Sequence, residues 1–373
     1  MDTTQMKVNF LDLKAQYASI KGEIDEAIQN VLDDAAFAGG PYVKKFEEGF
    51  AAAQGAKYCV AVCNGTAALH IIMMALELGP GDEVIVPANT FFASAEAVSL
   101  CGAKPVFVDC EEDYYNMDPA KIEAAITERT KVILPVHLYG QPAQMDAIKA
   151  IADKHNLLLL EDSAQAHLAT FKGSSVGTIG LAGGFSFYPG KNLGAYGEAG
   201  GVVTNDEALY QKMQTIKDHG SQKKYFHDLV GHNYRMDGMQ GSILSVKLKY
   251  LAEWTAIRNR NAELYGELLQ GIDQVITPKQ NPDVYHAYHL YVIRVPNRTE
   301  LTQFLNENGI YTGIHYPIPC HLQKAYAHLN YPEGAFPNSE KFAREIVSLP
   351  MSEQLSTDEV TYVAEKIRTF YQG

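Results

Sequence analysis

Between Lys57 and Asn205 strand-like and helix-like stretches alternate, and the strand-like ones are apolar without a period of two. "KYCVAVCNG" predicts a strand and "TAALHIIMMALELG" a helix ending on glycine. "DEVIVP" and "PVFVDC" are strands separated by the helix "TFFASAEAVSLCG". The helix "DPAKIEAAITE" and the strand "KVILPVHLYG" follow, then the helix "MDAIKAIADKHN" and the wholly apolar "LLLLED". A strand apolar on both faces needs cover on both faces, which a parallel sheet between helix layers provides. "GGFSFYP" and "GGVVTND" predict two more strands. Beyond them one long amphipathic helix is expected from Ser242 to about Leu269, then the strand "HLYVIRVP", the helix "TELTQFLNENG" and a closing helix "STDEVTYVAEKIRTFY". The expected organisation is a large α/β domain over residues 1–241, and a connecting helix with a smaller α+β domain over 242–373.

Ligands of open α/β sheets sit at the carboxyl ends of the strands. In "NGTAALH" Gly65 follows a strand and Thr66 opens a helix. Free amides and the helix dipole suit a phosphate there, while an ordinary turn with Thr66 as N-cap fits equally. In "LLLLEDSAQAH" Asp162 stands just past a strand and is either a helix cap or a functional acid. In "FSFYPGKNLGAYGEAGG" the turn Pro189–Gly190 presents Lys191, either to solvent or to a covalent partner.

Other classes fit poorly. With 31 basic and 44 acidic residues the chain carries a net charge of −13, so nucleic acid and anionic membrane are not expected partners. No apolar run reaches membrane-spanning length, and "MDTTQMKVNFLDLKAQY" has no apolar signal core. Five scattered cysteines without a C-x-x-C fit free thiols in a reducing cytoplasm. His286 and His289 are three apart but lack further ligands, so no metal is expected.

Together, a phosphate-suited turn, a strand-end acid and a turn-presented lysine are what a pyridoxal phosphate site requires. Lysine forms the Schiff base and the acid pairs with the pyridine nitrogen. At ~4 Å and an effective dielectric of 20 such a pair is worth roughly 4 kcal/mol, or about a thousandfold in rate.

"EDSAQAH", followed 29 residues after Asp162 by the lysine of "SFYPGKNLGAYGEAGG", resembles the sugar aminotransferases of the DegT/StrS type. The likeness extends through "VNFLDLKAQY", "FAGGPYVKKFEEGFA", "CNGTAAL", "PANTFFASAEAV", "GHNYRMDGMQGSIL" and "GIHYPIPCHLQ". It implies a fold-type I, aspartate-aminotransferase-like fold, with a large mostly parallel-sheet domain and a smaller α+β domain. It also implies a homodimer with shared active sites, and pyridoxal phosphate alternating with pyridoxamine phosphate. Lys191 would be the Schiff-base lysine and proton shuttle, Asp162 the partner of the pyridine nitrogen, and Gln165 the partner of the ring hydroxyl. Gly65, Thr66 and Ser186 would hold the phosphate. Phe91 would stack on the ring, although it also reads as a core residue. Asn233 would reach the other subunit's cofactor phosphate, although it also reads as a turn cap. Tyr188, Lys224, His315 and Tyr316 would line a sugar-nucleotide pocket, with Lys223 adding charge.

Within the family "YPGKNLGA" is most similar to 3-aminotransferases of dTDP-linked 3-keto-6-deoxyhexoses, with L-glutamate as amino donor, serving amino-deoxysugars such as those of lipopolysaccharide O-antigens. A 4-keto or UDP-linked acceptor is the alternative. A non-catalytic cofactor-binding regulator is the reading from another class. Three positions depart from the pattern. Leu168 stands where glycine is usual and would reshape the cavity, Leu181 stands where an acid is common, and Glu198 replaces an aspartate. None of the three is an expected cofactor contact.

Overall fold

The structure, a computed structural model, describes residues 6–372. Its centre is a seven-stranded sheet made of β1 (Tyr58–Val62), β2 (Glu83–Pro87), β3 (Lys104–Val108), β4 (Thr130–Ile133), β5 (Leu158–Asp162), β6 (Ala182–Ser186) and β7 (Gly200–Thr204). The spatial order is β1-β7-β6-β5-β4-β2-β3. From β6 to β3 neighbouring strands are parallel. Helices cover both faces, and the largest core gathers Val60, Val84, Val86, Val132 and Leu160 with Ile71, Ile72 and Met73.

β7 is the antiparallel exception in this mostly parallel sheet: it runs antiparallel to β1 and to β6. A parallel return needs a crossover of a dozen or more residues, usually containing a helix. The stretch from Phe187 to Ala199 is instead spent on the turn that carries Lys191, so the chain comes back antiparallel.

The long helix expected from Ser242 to Leu269 is two helices, Gly238–Lys247 and Leu251–Leu268. Its apolar pattern runs on because the two faces serve different cores. Ile243 and Val246 pack with Ile20 and Ile24, whereas Ala262, Tyr265 and Leu269 pack in the C-terminal unit. Position 241/242 therefore lies inside a helix that packs against Pro41–Ala53. The C-terminal unit holds β8 (Tyr291–Arg294) antiparallel to β9 (Ile346–Leu349), covered by Leu251–Leu268, Arg298–Glu307 and Thr357–Gln372. Val8 bridges to Ile310, which ties the N-terminal segment to this unit. No helix among the described residues is long and apolar enough to cross a membrane.

Candidate active site

A cavity of about 720 Å³ opens at the carboxyl ends of β5 and β6. Its walls bring together ten of the residues expected from the sequence: Gly65, Thr66, Phe91, Asp162, Gln165, Ser186, Tyr188, Lys191, His315 and Tyr316.

Asp162 ends β5 and is buried. The Ser94 hydroxyl donates to its Oδ2 at 2.6 Å and the Ala164 amide to its Oδ1 at 3.1 Å. Ser94 Oγ also lies 2.8 Å from Thr90 Oγ1; because Ser94 gives its proton to the carboxylate, Thr90 donates to Ser94. Burial pushes the Asp162 carboxyl above its usual range, while the Ser94 bond and the Lys191 charge pull it back. A buried acid of this kind is completed by a cationic partner. Its neighbour Glu161 fixes the strand end by accepting from the amides of Gly177, Ile179 and Gly180 at 2.7–2.9 Å. His137 accepts from the Ala143 amide on Nδ1, so its Nε2–H donates to Glu161 at 2.9 Å.

The expected turn at Lys191 is present, with the Lys191 amide donating to the Tyr188 carbonyl at 2.8 Å. Among the described residues no hydrogen bond or ion pair engages its Nζ. The side chain lines the cavity, and the surrounding protein lowers the amine to about 8, partly offset by Asp162. Asn192 is tied to the Ala287 carbonyl at 2.8 Å. Its Oδ1 accepts from His289 Nδ1 at 3.2 Å, and His289 itself lines the cavity. In the sequence His289 was legible only as half of a weak metal pair with His286. The two histidines do not share a ligand: His286 Nδ1 accepts from the Tyr288 amide at 2.8 Å and its ring stacks on Tyr288.

At the other wall the helix Gly65–Ala75 begins with Asn64 as its cap, Oδ1 accepting from the Ala67 amide at 2.8 Å. Thr66 is thus not the N-cap, and the amides of Gly65 and Thr66 belong to the helix start that has no intrahelical acceptor. Glycine is required at 65 because a Cβ there would stand 2.7 Å from Ser186 Cβ. Phe91 is 54 % exposed and lines the cavity, which removes its reading as core; its ring lies 5.2 Å from that of Tyr316. Gln165 accepts from the Tyr139 amide at 2.5 Å and donates to the Tyr316 hydroxyl at 3.0 Å. His315 bonds Ser348 Oγ through Nδ1 at 2.8 Å, and burial lowers it to about 4.

Two expected residues stand apart. Asn233 bridges to Asp218, and Lys224 lies on the exposed hairpin of Ser221–Lys223 and Phe226–His227, with its amine 5.1 Å from the Tyr225 ring centroid; neither lines this chain's cavity. Lys223 shares that exposed hairpin. Glu198 lines the cavity. Leu168 does not: it packs against the cluster of Phe46, Phe50 and Phe185, and it holds a left-handed φ of 60°, which accounts for glycine being usual there. Leu181 packs against the main core.

A helix start closed down on a serine, an exposed aromatic face, a buried acid short of cationic partners and an unpaired lysine amine fit a flat cofactor bearing a phosphate and a basic ring nitrogen. The profile of the DegT/DnrJ/EryC1/StrS aminotransferase family matches residues 18–368. The chain belongs to this family. Among its relatives, a "Pleiotropic regulatory protein" of Geobacillus stearothermophilus is 48% identical, with 98% of this chain and 99% of that protein covered. A dTDP-3-amino-3,4,6-trideoxy-alpha-D-glucose transaminase of Streptomyces venezuelae is 43% identical over 97% and 96%. A UDP-N-acetyl-3-dehydro-alpha-D-glucosamine 3-aminotransferase of Acidithiobacillus ferrooxidans is also 43% identical, over 100% of both. The crystal structure of S. venezuelae DesV with a ketimine intermediate superposes with a TM-score of 0.97 at 43% identity, covering 98% and 99% of the two chains. That of NtdA from Bacillus subtilis with bound pyridoxamine phosphate gives 0.92 at 31%, covering 100% and 87%. The expected fold-type I architecture, aminotransferase class and pyridoxal phosphate cofactor therefore stand.

Proposed function

We propose that this aminotransferase moves an amino group from L-glutamate to C3 of a dTDP-linked 3-keto-6-deoxyhexose, as a cytoplasmic homodimer. The observation that carries the acceptor is the 43% identity, over nearly the whole of both chains, to a transaminase named for a dTDP-3-amino sugar. The equally similar UDP-sugar relative keeps a UDP-linked acceptor as the second reading.

When bound, pyridoxal phosphate supplies a carbonyl for amine exchange and an electron sink for the substrate carbanion. Gly65, Thr66 and Ser186 would hold its phosphate, and Phe91 would cover its ring. Gln165, oriented by the Tyr139 amide, would meet the ring hydroxyl. Asp162, oriented by Ser94 and Ala164, would keep the ring nitrogen protonated. Lys191 would anchor the cofactor and, as a free amine, would serve as the base that moves the proton. Burial favours the neutral form that such a base needs, lowering the amine to about 8 in the unloaded protein. Tyr188, His315 and Tyr316 face the sugar nucleotide, and the partner subunit's Lys224 and Asn233 complete the site.

A relative named as a regulator favours binding without turnover; a lysine and an acid gathered in one cavity favour turnover. To test both readings, the pyridoxamine form is prepared with glutamate and given 3-keto and 4-keto sugars linked to dTDP and to UDP. Recovery of the pyridoxal absorbance with a dTDP-linked 3-keto sugar is expected. Recovery only with a 4-keto sugar overturns the regiochemistry, and recovery only with UDP-linked sugars overturns the base. Recovery with none, in a protein that still takes the amino group from glutamate, overturns the acceptor class.

A further inference from the structure

The catalytic turn is gripped from beneath by a residue that the proposed mechanism does not use. Lys247, at the end of the helix Gly238–Lys247, is completely buried, and its Nζ donates to the Gly194 carbonyl at 2.7 Å. The same amine sits 4.2 Å from the centroid of the Tyr196 ring. Gly194 and Tyr196 follow Lys191 by three and five residues. Two turns earlier on the same helix face, Gln240 Oε1 accepts from the Tyr196 amide at 2.9 Å. The segment held this way is tightly folded: a Cβ on Gly194 would lie 2.3 Å from the Pro189 carbonyl oxygen, and the Ala195 amide closes onto the Phe187 carbonyl at 2.8 Å.

We infer that Lys247 is a positioning residue that clamps the Lys191 turn, retained for that role at a cost to stability. Among the described residues no carboxylate forms an ion pair with it. Glu353, whose charge reaches it, is already engaged by Arg258 Nη2 at 2.8 Å and Gln16 Nε2 at 2.5 Å. A buried cation without an ion-pair partner weakens a fold, and an apolar chain of similar size fills the same space without that cost. Burial accordingly lowers Lys247 to about 8. What an apolar chain cannot supply is the charge-assisted bond to Gly194 together with the cation–π contact to Tyr196, which act on the two sides of one turn.

The inference rests on Lys191 being the cofactor lysine, so the test reads the apoprotein first. In Lys247→Met the melting temperature is expected to equal or exceed that of the native protein. Hydrogen exchange at the Lys191 and Ala195 amides is expected to quicken by about tenfold or more, the worth of one bond to a charged group, while the central sheet stays protected. After cofactor loading, the fraction fixed to Lys191 by borohydride should fall. A lower melting temperature with faster exchange throughout the sheet would make Lys247 a structural prop and overturn the clamp, as would unchanged exchange in the turn. If Lys247→Met does not fold, Tyr196→Leu, at a position 37% exposed, is expected to quicken the same amides, and no change there overturns the inference. Quickened exchange alongside a native protein that never fixes cofactor supports the clamp and sinks the cofactor reading instead.

Discussion

Lys191 owes its reactivity to its surroundings, because burial favours the neutral amine and Asp162 only partly restores the charge. The sign is that of a depressed lysine: its neutral fraction rises through about pH 8 rather than near the ordinary value of about 10.4. In the apoprotein, amine labelling followed by mass spectrometry should therefore show Lys191 half-reactive near pH 8, well below the ordinary lysine value. A midpoint with the bulk of the lysines would contradict the environment described. Asp162→Ala removes the charge opposite the ring nitrogen. It should retain the fold and lose about two to three decades in the glutamate half-reaction, following the ~4 kcal/mol Coulomb term. Near-normal stopped-flow rates would remove Asp162 from its role. Ser94→Ala leaves the acid in place without its 2.6 Å donor, so a smaller loss of about one decade is expected, with cofactor still fixed at Lys191.

Among the elements, the start of helix Gly65–Ala75 tests the phosphate cradle. Gly65→Ala drives a methyl into Ser186, 2.7 Å away, in the wall where phosphate is to bind, while the Asn64 cap keeps the helix. Titration of the folded apoprotein should show pyridoxal phosphate affinity falling by about tenfold or more, together with a lower melting temperature, because the methyl meets Cβ and backbone of β6; full affinity would refute the cradle. This cradle, Asp162 and the Lys191 turn were legible in the sequence because each stands where an apolar strand stops, a local signal. The reversal of β7 and the break after Lys247 were not, since both depend on where segments distant in sequence pack. His289 was missed for the same reason, as it reaches the cavity from a segment with no motif of its own. Leu168 shows the converse: a departure from a family pattern reads as a change in the cavity until its φ places it in a turn against the aromatic core.

On the scale of the whole molecule, one chain leaves its site short of two expected residues, since neither Asn233 nor Lys224 lines its own cavity. They belong to a segment that projects apolar side chains, with Tyr225 at 81% and Val230 at 90% exposure. A two-fold dimer in which this segment enters the partner's site explains both facts, and it makes a prediction that a self-contained site does not. Lys191→Ala and Asn233→Ala chains should each be impaired alone. In a heterodimer of the two, one site combines the native Lys191 of one chain with the native Asn233 of the other, while the second site lacks both. Equal mixing with free exchange yields heterodimers in half the population, so about a quarter of native activity should return. If Asn233 served its own chain, no site in the heterodimer would hold both residues and nothing would return. Mixed samples whose heterodimers are confirmed by mass and that stay as inactive as the parents would therefore exclude the shared site.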